Sequence, residues 1–238
     1  MPKRKPRKGK LRKGTAYYRR HHYVMPPWLR PKLKFLLSRA ENSETFLARI
    51  VQIWPPHDPR YILVSRAYEV AKAAFDHQKR SDGERYFEHL RATALIAIVY
   101  LRIRSANIIA ALLLHDILED LPKQWTYDDL VQKFNTEVAG LVSWVTKPAL
   151  GDLLPTKDDV DRRYHRRLRG APREAVLIKL CDRLHNLITI WSQPREKILK
   201  KISETRDFIL PLAEDHQLLI HEIEDVLSEV ERRIEKSR

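Results

Sequence analysis

The segment His115-Asp116-Ile-Leu-Glu119-Asp120 closes an unbroken apolar run, Ala110-Ala-Leu-Leu-Leu. It offers an imidazole and three carboxylates to one small volume. On a helix, neighbours at i+3 and i+4 share a face, so His115 lies over Glu119 and Asp116 over Glu119 and Asp120. Four ionisable groups on a segment that reads as core are costly to bury unless they pair or hold a cation. The plainer alternative is a helix end leaving the core, where the acids simply meet water.

A second informative stretch is Val176-Leu-Ile-Lys-Leu-Cys-Asp182-Arg-Leu-His-Asn186-Leu-Ile-Thr189-Ile-Trp191. At 100° per residue, Leu180, Leu184, Leu187 and Trp191 fall on one side, and Asp182, Asn186 and Thr189 on the other. Solvated helix faces carry Lys, Glu and Arg, whereas a stripe of acid, amide and hydroxyl is suited to lining a cleft. The competing reading pairs Asp182 with Lys179 or Arg183 on the surface. His89, after Gly83-Glu-Arg-Tyr86-Phe-Glu, stands near a helix start. Alone it reads as structural. Taken together, His89, His115, Asp116 and Asp182 give two imidazoles and two carboxylates. That mixed set suits an octahedral ion such as Mn²⁺, with open positions for water and phosphate, better than a closed tetrahedral zinc site.

These residues need helices to position them, and the chain supplies little else. The patterns predict helices over about 42–53, 59–79, 87–101, 106–120, 126–134, 137–146 and 173–192, with two more in 195–236. Ser105 is the expected N-cap of the helix over 106–120, and Thr126-Tyr-Asp-Asp129 reads as a capping box. Asn135 is expected to close that helix in a left-handed conformation. Residues 148–155 read as a loop, and 156–169 as a strongly basic helix or loop. Alternating β patterns are essentially absent, so the expected fold class is all-α. Cys181, the single cysteine, is expected to be packed, as are Trp144 and Trp191.

The net charge of +14 belongs to one end of the chain. Residues 1–40 hold fourteen Lys or Arg and no acid, and residues 41–238 hold 31 basic and 31 acidic residues. The expected organisation is a basic N-terminal extension over 1–40 and a helical domain over 41–238. Lys and Arg interleaved with Tyr17, Tyr18, His21, His22 and Tyr23 would suit RNA, with charge for phosphates and rings for stacking; a solubilising tail fits equally. A lone cysteine excludes a disulfide framework and a Cys-based zinc site. No apolar run approaches the ~20 residues that span a bilayer, and no apolar segment follows the basic start as in a secretory signal. A cytoplasmic protein is expected.

In its order and spacing, His89, His115-Asp116 and Asp182 resemble the H…HD…D signature of HD-domain phosphohydrolases. The surrounding text is similar to the hydrolase domain of the RelA/SpoT family and the small alarmone hydrolases. Ile109-Ala-Ala-Leu-Leu-Leu-His-Asp-Ile-Leu-Glu-Asp120 resembles their AALLHDxxED segment. Leu177-Ile-Lys-Leu-Cys-Asp-Arg-Leu-His-Asn-Leu-Ile-Thr189 resembles LIKLADRLHNMRT, and Val138-Ala-Gly-Leu-Val-Ser-Trp-Val-Thr-Lys147 resembles VAxLVxxVTK. Gln78-Lys-Arg80 with Gly83-Glu-Arg-Tyr86, and Glu204-Thr-Arg-Asp-Phe-Ile-Leu-Pro-Leu-Ala213, match two further segments.

The resemblance implies an all-α HD-domain helical bundle and removal of the 3′-pyrophosphate of ppGpp and pppGpp with one Mn²⁺ ion. It implies His89, His115, Asp116 and Asp182 as metal ligands. Glu119 and Asp120 would serve the attacking water and the proton traffic, and Arg80, Asn186 and Thr189 would contact the nucleotide. The substrate's charge also suits Lys147 and the run Arg162, Arg163, Arg166, Arg167 and Arg169. The residues after 214 are too few for the synthetase of the long enzymes, which implies hydrolase without synthetase. Three departures, Ser81-Asp82, Arg85 and Leu90 at positions where the family has Lys-Ser, Pro and Pro, leave the base open. Another nucleotide, such as (p)ppApp or a deoxynucleotide, and a weakly active module tethered to RNA or the ribosome are the alternatives.

Overall fold

The computed structural model describes residues 23–236 apart from positions 39, 152 and 154. The Lys/Arg runs before residue 23, with Tyr17, Tyr18, His21 and His22, lie outside the described residues, as does any RNA contact expected there. Among the described residues the chain is built from helices, and an isolated bridge pairs Lys79 with Arg85. In order these are α1 (Ser43–Val51), α2 (Pro59–Ala74), α3 (Tyr86–Leu95), α4 (Ala106–Leu114), α5 (Ile117–Asp120) and α6 (Tyr127–Lys133). They continue with α7 (Thr136–Val145), α8 (Lys157–Arg169), α9 (Arg173–Ile188), α10 (Arg195–Glu204), α11 (Leu210–His216) and α12 (Ile220–Lys236). The all-α expectation holds.

Two apolar helices carry the architecture. In α4 every residue but Asn107 is buried, and the helix packs against α2, α3, α7 and α9. In α9 twelve residues are buried, Asp182, Arg183 and His185 among them, and the helix packs against α3, α4, α7, α11 and α12. Helix α3 lies against both. One end of α4, the middle of α9 and the second turn of α3 therefore meet. Side-chain caps fix where the helices start: Ser105 accepts from Ile108 N, and Thr126 and Thr156 form capping boxes with Asp129 and Asp159.

Several local expectations change. The helix expected over 106–120 breaks at His115-Asp116, with Asp116 at φ −97° and ψ −2°. His115 Nδ1 lies 2.8 Å from Leu112 O, so its ring bonds a carbonyl of the last turn of α4. The helix expected over 59–79 ends at Ala74; the chain then turns through Gly83, whose φ of 79° suits a residue without a Cβ. Asn135 opens α7 in extended conformation, accepting from Val138 N, instead of closing α6. Trp191 is 36% exposed and not core.

The expected boundary at residue 40 also moves. Residues 23–38 belong to the body: Val24 N donates to Ile188 O at 2.8 Å, and Val24, Leu29 and Leu33 are fully buried. Trp28 Nε1 donates to Asp225 Oδ2 of α12 at 2.7 Å. Charge density hid an apolar side here, since Lys32 and Lys34 are exposed while Leu33, Phe35 and Leu36 pack. No helix among the described residues is long and apolar enough to cross a membrane.

Candidate metal centre and active site

His89 from α3, His115 at the end of α4 and Asp182 from α9 converge, with one ligand atom of each within 4.8 Å of the others. His89 Nε2 lies 3.2 Å from Asp182 Oδ1, and His115 Nε2 lies 3.7 Å from the same oxygen. Asp116 Oδ2 adds a fourth donor, 3.2 Å from His115 Nε2 and 3.8 Å from His89 Nε2. Both histidines and Asp182 are buried.

The tautomers suit a cation. With Nδ1 of His115 donating to Leu112 O, its Nε2 faces the carboxylates, buried and without a hydrogen-bond partner. His89 Nδ1 lies 2.8 Å from Nδ1 of His185, a contact that turns His89 Nε2 toward Asp182. A buried nitrogen that faces two carboxylates and makes a well-aligned hydrogen bond to neither is placed as a cation would need it. Without an ion, burial opposes charge on His115, yet Asp116 and then Asp182 hold it well above the usual imidazole range. Burial likewise opposes charge on Asp116, but His115 holds it down at about 2. A proton thus stands where a cation fits, and the four donors match an ion with N and O preference.

Around the ligands lies a connected set of polar contacts. Lys179 Nζ donates to Asp182 Oδ2 at 2.9 Å, and Asn186 Nδ2 donates to Asp182 Oδ1. Arg80 Nη2 donates to Asn186 Oδ1 at 2.9 Å and to Thr189 Oγ1 at 3.2 Å. The expected surface pairing of Asp182 with Lys179 does form, but inside the protein, since Asp182 is 6% exposed. Thr189 is buried behind Arg80, and its own hydroxyl donates to His185 O. The stripe Asp182, Asn186, Thr189 therefore aims Arg80 as much as it lines a cleft. Asp82, unexpected beside a nucleoside, accepts from Glu84 N at 2.8 Å and shapes the turn that carries Arg80.

The acids of α5 separate. Glu119 is exposed and accepts from Lys147 N at 2.9 Å, lining a cavity of about 440 Å³ together with His89, Asp116 and Asp182. Asp120 stands outside that cavity beside Tyr86, whose hydroxyl donates to Asp116 Oδ2 at 2.8 Å. Burial of its carboxyl, then the charge of Asp116, pushes Asp120 up to about 6. Lys147 Nζ donates to Asp161 at 2.8 Å while lining the cavity.

The basic run of α8 points elsewhere. Arg162 pairs with Asp159, Arg167 bonds Thr146 O, Arg169 lies over Phe208, and none of the five arginines lines this cavity. Its cationic wall comes instead from Lys179, Arg183, Lys197 and Lys201, with Arg183 paired to Glu204 at 2.8 Å. Sequence reasoning missed these, and also Tyr86 as a partner of Asp116. Lys179 had a signal, standing one turn before Asp182; Lys197 and Lys201 had none, because α10 reads as an ordinary charged helix.

Residues 67–216 match the family model described as the HD domain. The chain belongs to the HD-domain family. Within it, the chain is 34% identical over 186 residues to the bifunctional (p)ppGpp synthase/hydrolase SpoT of Escherichia coli K12, across 77% of this chain and 26% of that protein. It is 35% identical over 191 residues to the guanosine-3′,5′-bis(diphosphate) 3′-pyrophosphohydrolase of Aquifex aeolicus, across 79% of this chain and 26% of that protein. The chain thus spans about a quarter of the length of the curated relatives it matches. A solved metazoan ortholog of SpoT, described as hydrolysing ppGpp, superposes with a TM-score of 0.62 at 21% identity, across 70% of this chain and 94% of that one. That likeness confirms the HD-type helical fold.

Proposed function

We propose that this HD domain is a metal-dependent 3′-pyrophosphohydrolase of guanosine nucleotides bearing a 3′-diphosphate, ppGpp and pppGpp, with Mn²⁺ as its ion. The observation that carries the reading is the buried, partnerless Nε2 of His115 among His89, Asp116 and Asp182, at the wall of a cation-rich cavity. The identity to named pyrophosphohydrolases over most of the chain supports the substrate.

His89, His115, Asp116 and Asp182 would hold the ion, which supplies polarisation of phosphoryl oxygens and a more acidic water. Phosphoryl transfer to water then depends on positioning and on charge placed in advance. Glu119, fixed by Lys147 N, orients the attacking water and takes its proton. The new bond joins water oxygen to phosphorus while the bond to the ribose 3′-oxygen breaks, and that oxygen takes up a proton. Asp120, which retains its proton to about pH 6, serves this proton traffic from behind Asp116. Arg80, held by Asn186 and Thr189, meets the nucleotide, and Lys147 meets its phosphates. Asn186 and Thr189 contribute as the pair that aims Arg80.

Pyrophosphate release from 3′- and 5′-pyrophosphorylated guanosine and adenosine nucleotides, with and without Mn²⁺, tests the reading. Release from ppGpp only with the ion is expected. His115→Ala should abolish it, and Glu119→Gln should slow turnover by about a hundredfold or more while ion binding persists. Faster release from the adenine counterpart would overturn the base assignment, and full activity in His115→Ala would overturn the ligand set.

The fourteen Lys or Arg and no acid in residues 1–40 support a further proposal, that the N-terminal segment contacts RNA or the ribosome. Binding of the full chain to RNA should fall steeply with salt and be lost on deleting residues 1–22.

A further inference from the structure

The cavity at the metal centre adjoins a second space of about 340 Å³, and the two share Arg80, Lys147, Asn186, Gln193, Lys197, Lys201 and the acid Glu204 as walls. Positive charge along this cleft is mostly answered. Lys179 pairs with Asp182, Lys147 and Lys200 with Asp161 at 2.8 and 3.1 Å, and Arg183 with Glu204. Lys197 and Lys201, one helical turn apart on α10, are not answered: among the described residues no carboxylate oxygen lies within 4.0 Å of either ammonium.

Lys201 is not a freely solvated surface lysine. It is partly buried in the cleft wall, and Arg183 beside it, then burial, push its ammonium down to about 7. The carboxylates of Asp182 and Glu204 act on Lys201 from beyond ion-pair distance and do not outweigh Arg183 and burial, so an anionic ligand would relieve the crowding of cations in this cleft. Ile190, Gln193 and Asn186 line the same space as the two lysines, a wall partly apolar and partly amide, as a nucleoside requires.

We propose that Lys197 and Lys201 form a second anion subsite, which takes the 5′-diphosphate of a nucleotide whose 3′-pyrophosphate lies at the metal centre. This rests on the proposed pyrophosphohydrolase reading and adds to it a reason for selecting nucleotides phosphorylated on both sides of the ribose. The metal centre does the chemistry, and α10 measures the other arm. Lysines act here as point charges, so a flexible diphosphate is a suitable occupant.

The test compares kcat/KM for ppGpp with that for guanosine 3′-diphosphate bearing a 5′-hydroxyl, in wild type, Lys201→Ala, Lys197→Ala and Lys201→Arg. Lys201→Ala should lower kcat/KM for ppGpp at least tenfold more than for the 5′-hydroxyl compound, chiefly through KM. Lys197→Ala, at an exposed position that leaves folding untouched, should do the same to a smaller extent, and Lys201→Arg should retain the preference. Equal losses on both substrates would overturn the subsite. Calorimetric binding of guanosine 5′-diphosphate, which lacks the 3′ group, separates this proposal from the one it rests on. If wild type hydrolyses neither compound, the function assignment fails. The subsite would still stand if guanosine 5′-diphosphate binds wild type and not Lys201→Ala, and would fall if the two bind alike.

Discussion

At the scale of single residues, the centre is a balance of charges that each side chain completes for another. Asp182 accepts from Lys179 and Asn186 while facing His89 and His115, so its position is fixed from both sides. Much of this was legible: the acid–amide–hydroxyl stripe and the His-Asp pair named the residues. What spacing could not show is that Thr189 and Asn186 spend their polar groups on Arg80, since that contact joins residues more than a hundred positions apart. Asp120 carries a prediction. Its folded-state pKa, about 6, lies above its ordinary value, so the fold favours the protonated form. The stability it contributes is full below about pH 4 and is lost as pH rises through about 6. Asp120→Asn should therefore stabilise the metal-free protein above pH 6 and leave it unchanged at pH 4. The gain should be about 1 kcal/mol and not the ~3 kcal/mol of a fully buried group, because the residue as a whole is exposed and its carboxyl is only partly shielded from solvent. Thermal melts in chelator at pH 4, 5 and 7 check it; an equal gain at every pH would mean the charge of Asp120 is not what strains the site.

At the scale of elements, the helices were legible from periodicity and caps, and their joints were not. The break between α4 and α5 is made by a side chain bonding back to Leu112 O, which no 3.6-residue pattern encodes. It matters for chemistry, because Glu119 and Asp120 diverge there, one to the cavity and one to Tyr86. The segment 23–38 was misjudged for another reason. Averaged composition saw its lysines and arginines, whereas the fold uses Val24, Leu29 and Leu33, all fully buried. That segment lies against the last turn of α9, where Val24 N bonds Ile188 O, one residue before Thr189. Leu29→Ala should cost about 2–5 kcal/mol, as a cavity-forming change in a packed core does. Leu150→Ala, at a residue 57% exposed, should stay within about 0.5 kcal/mol. Urea denaturation of the two variants decides it. Equal, small effects would return residues 23–38 to the extension that composition suggested.

At the scale of the whole molecule, the proposed ligands come from α3, the end of α4, and α9, three helices that touch one another in the core. An ion bound there would be a clip between elements distant in sequence, so binding and folding would be one equilibrium. A ligand that binds only the native state at a hundredfold its Kd adds about 2.7 kcal/mol, which for a chain of this size is a rise in Tm of about 5–10 °C. Saturating Mn²⁺ should produce such a rise in wild type, and chelator should reverse it. The rise should shrink between pH 7 and pH 5, because the ion must displace the proton that Asp116 and Asp182 hold on His115. Asp182→Ala should show no rise. It should also melt lower than wild type even in chelator, since Lys179 then keeps a charge within the protein without its carboxylate. Scanning calorimetry of both proteins across these conditions separates two roles for Asp182. A rise in Tm that survives its loss would place the ion elsewhere, and a variant as stable as wild type in chelator would mean that the pair with Lys179 contributes nothing to the fold.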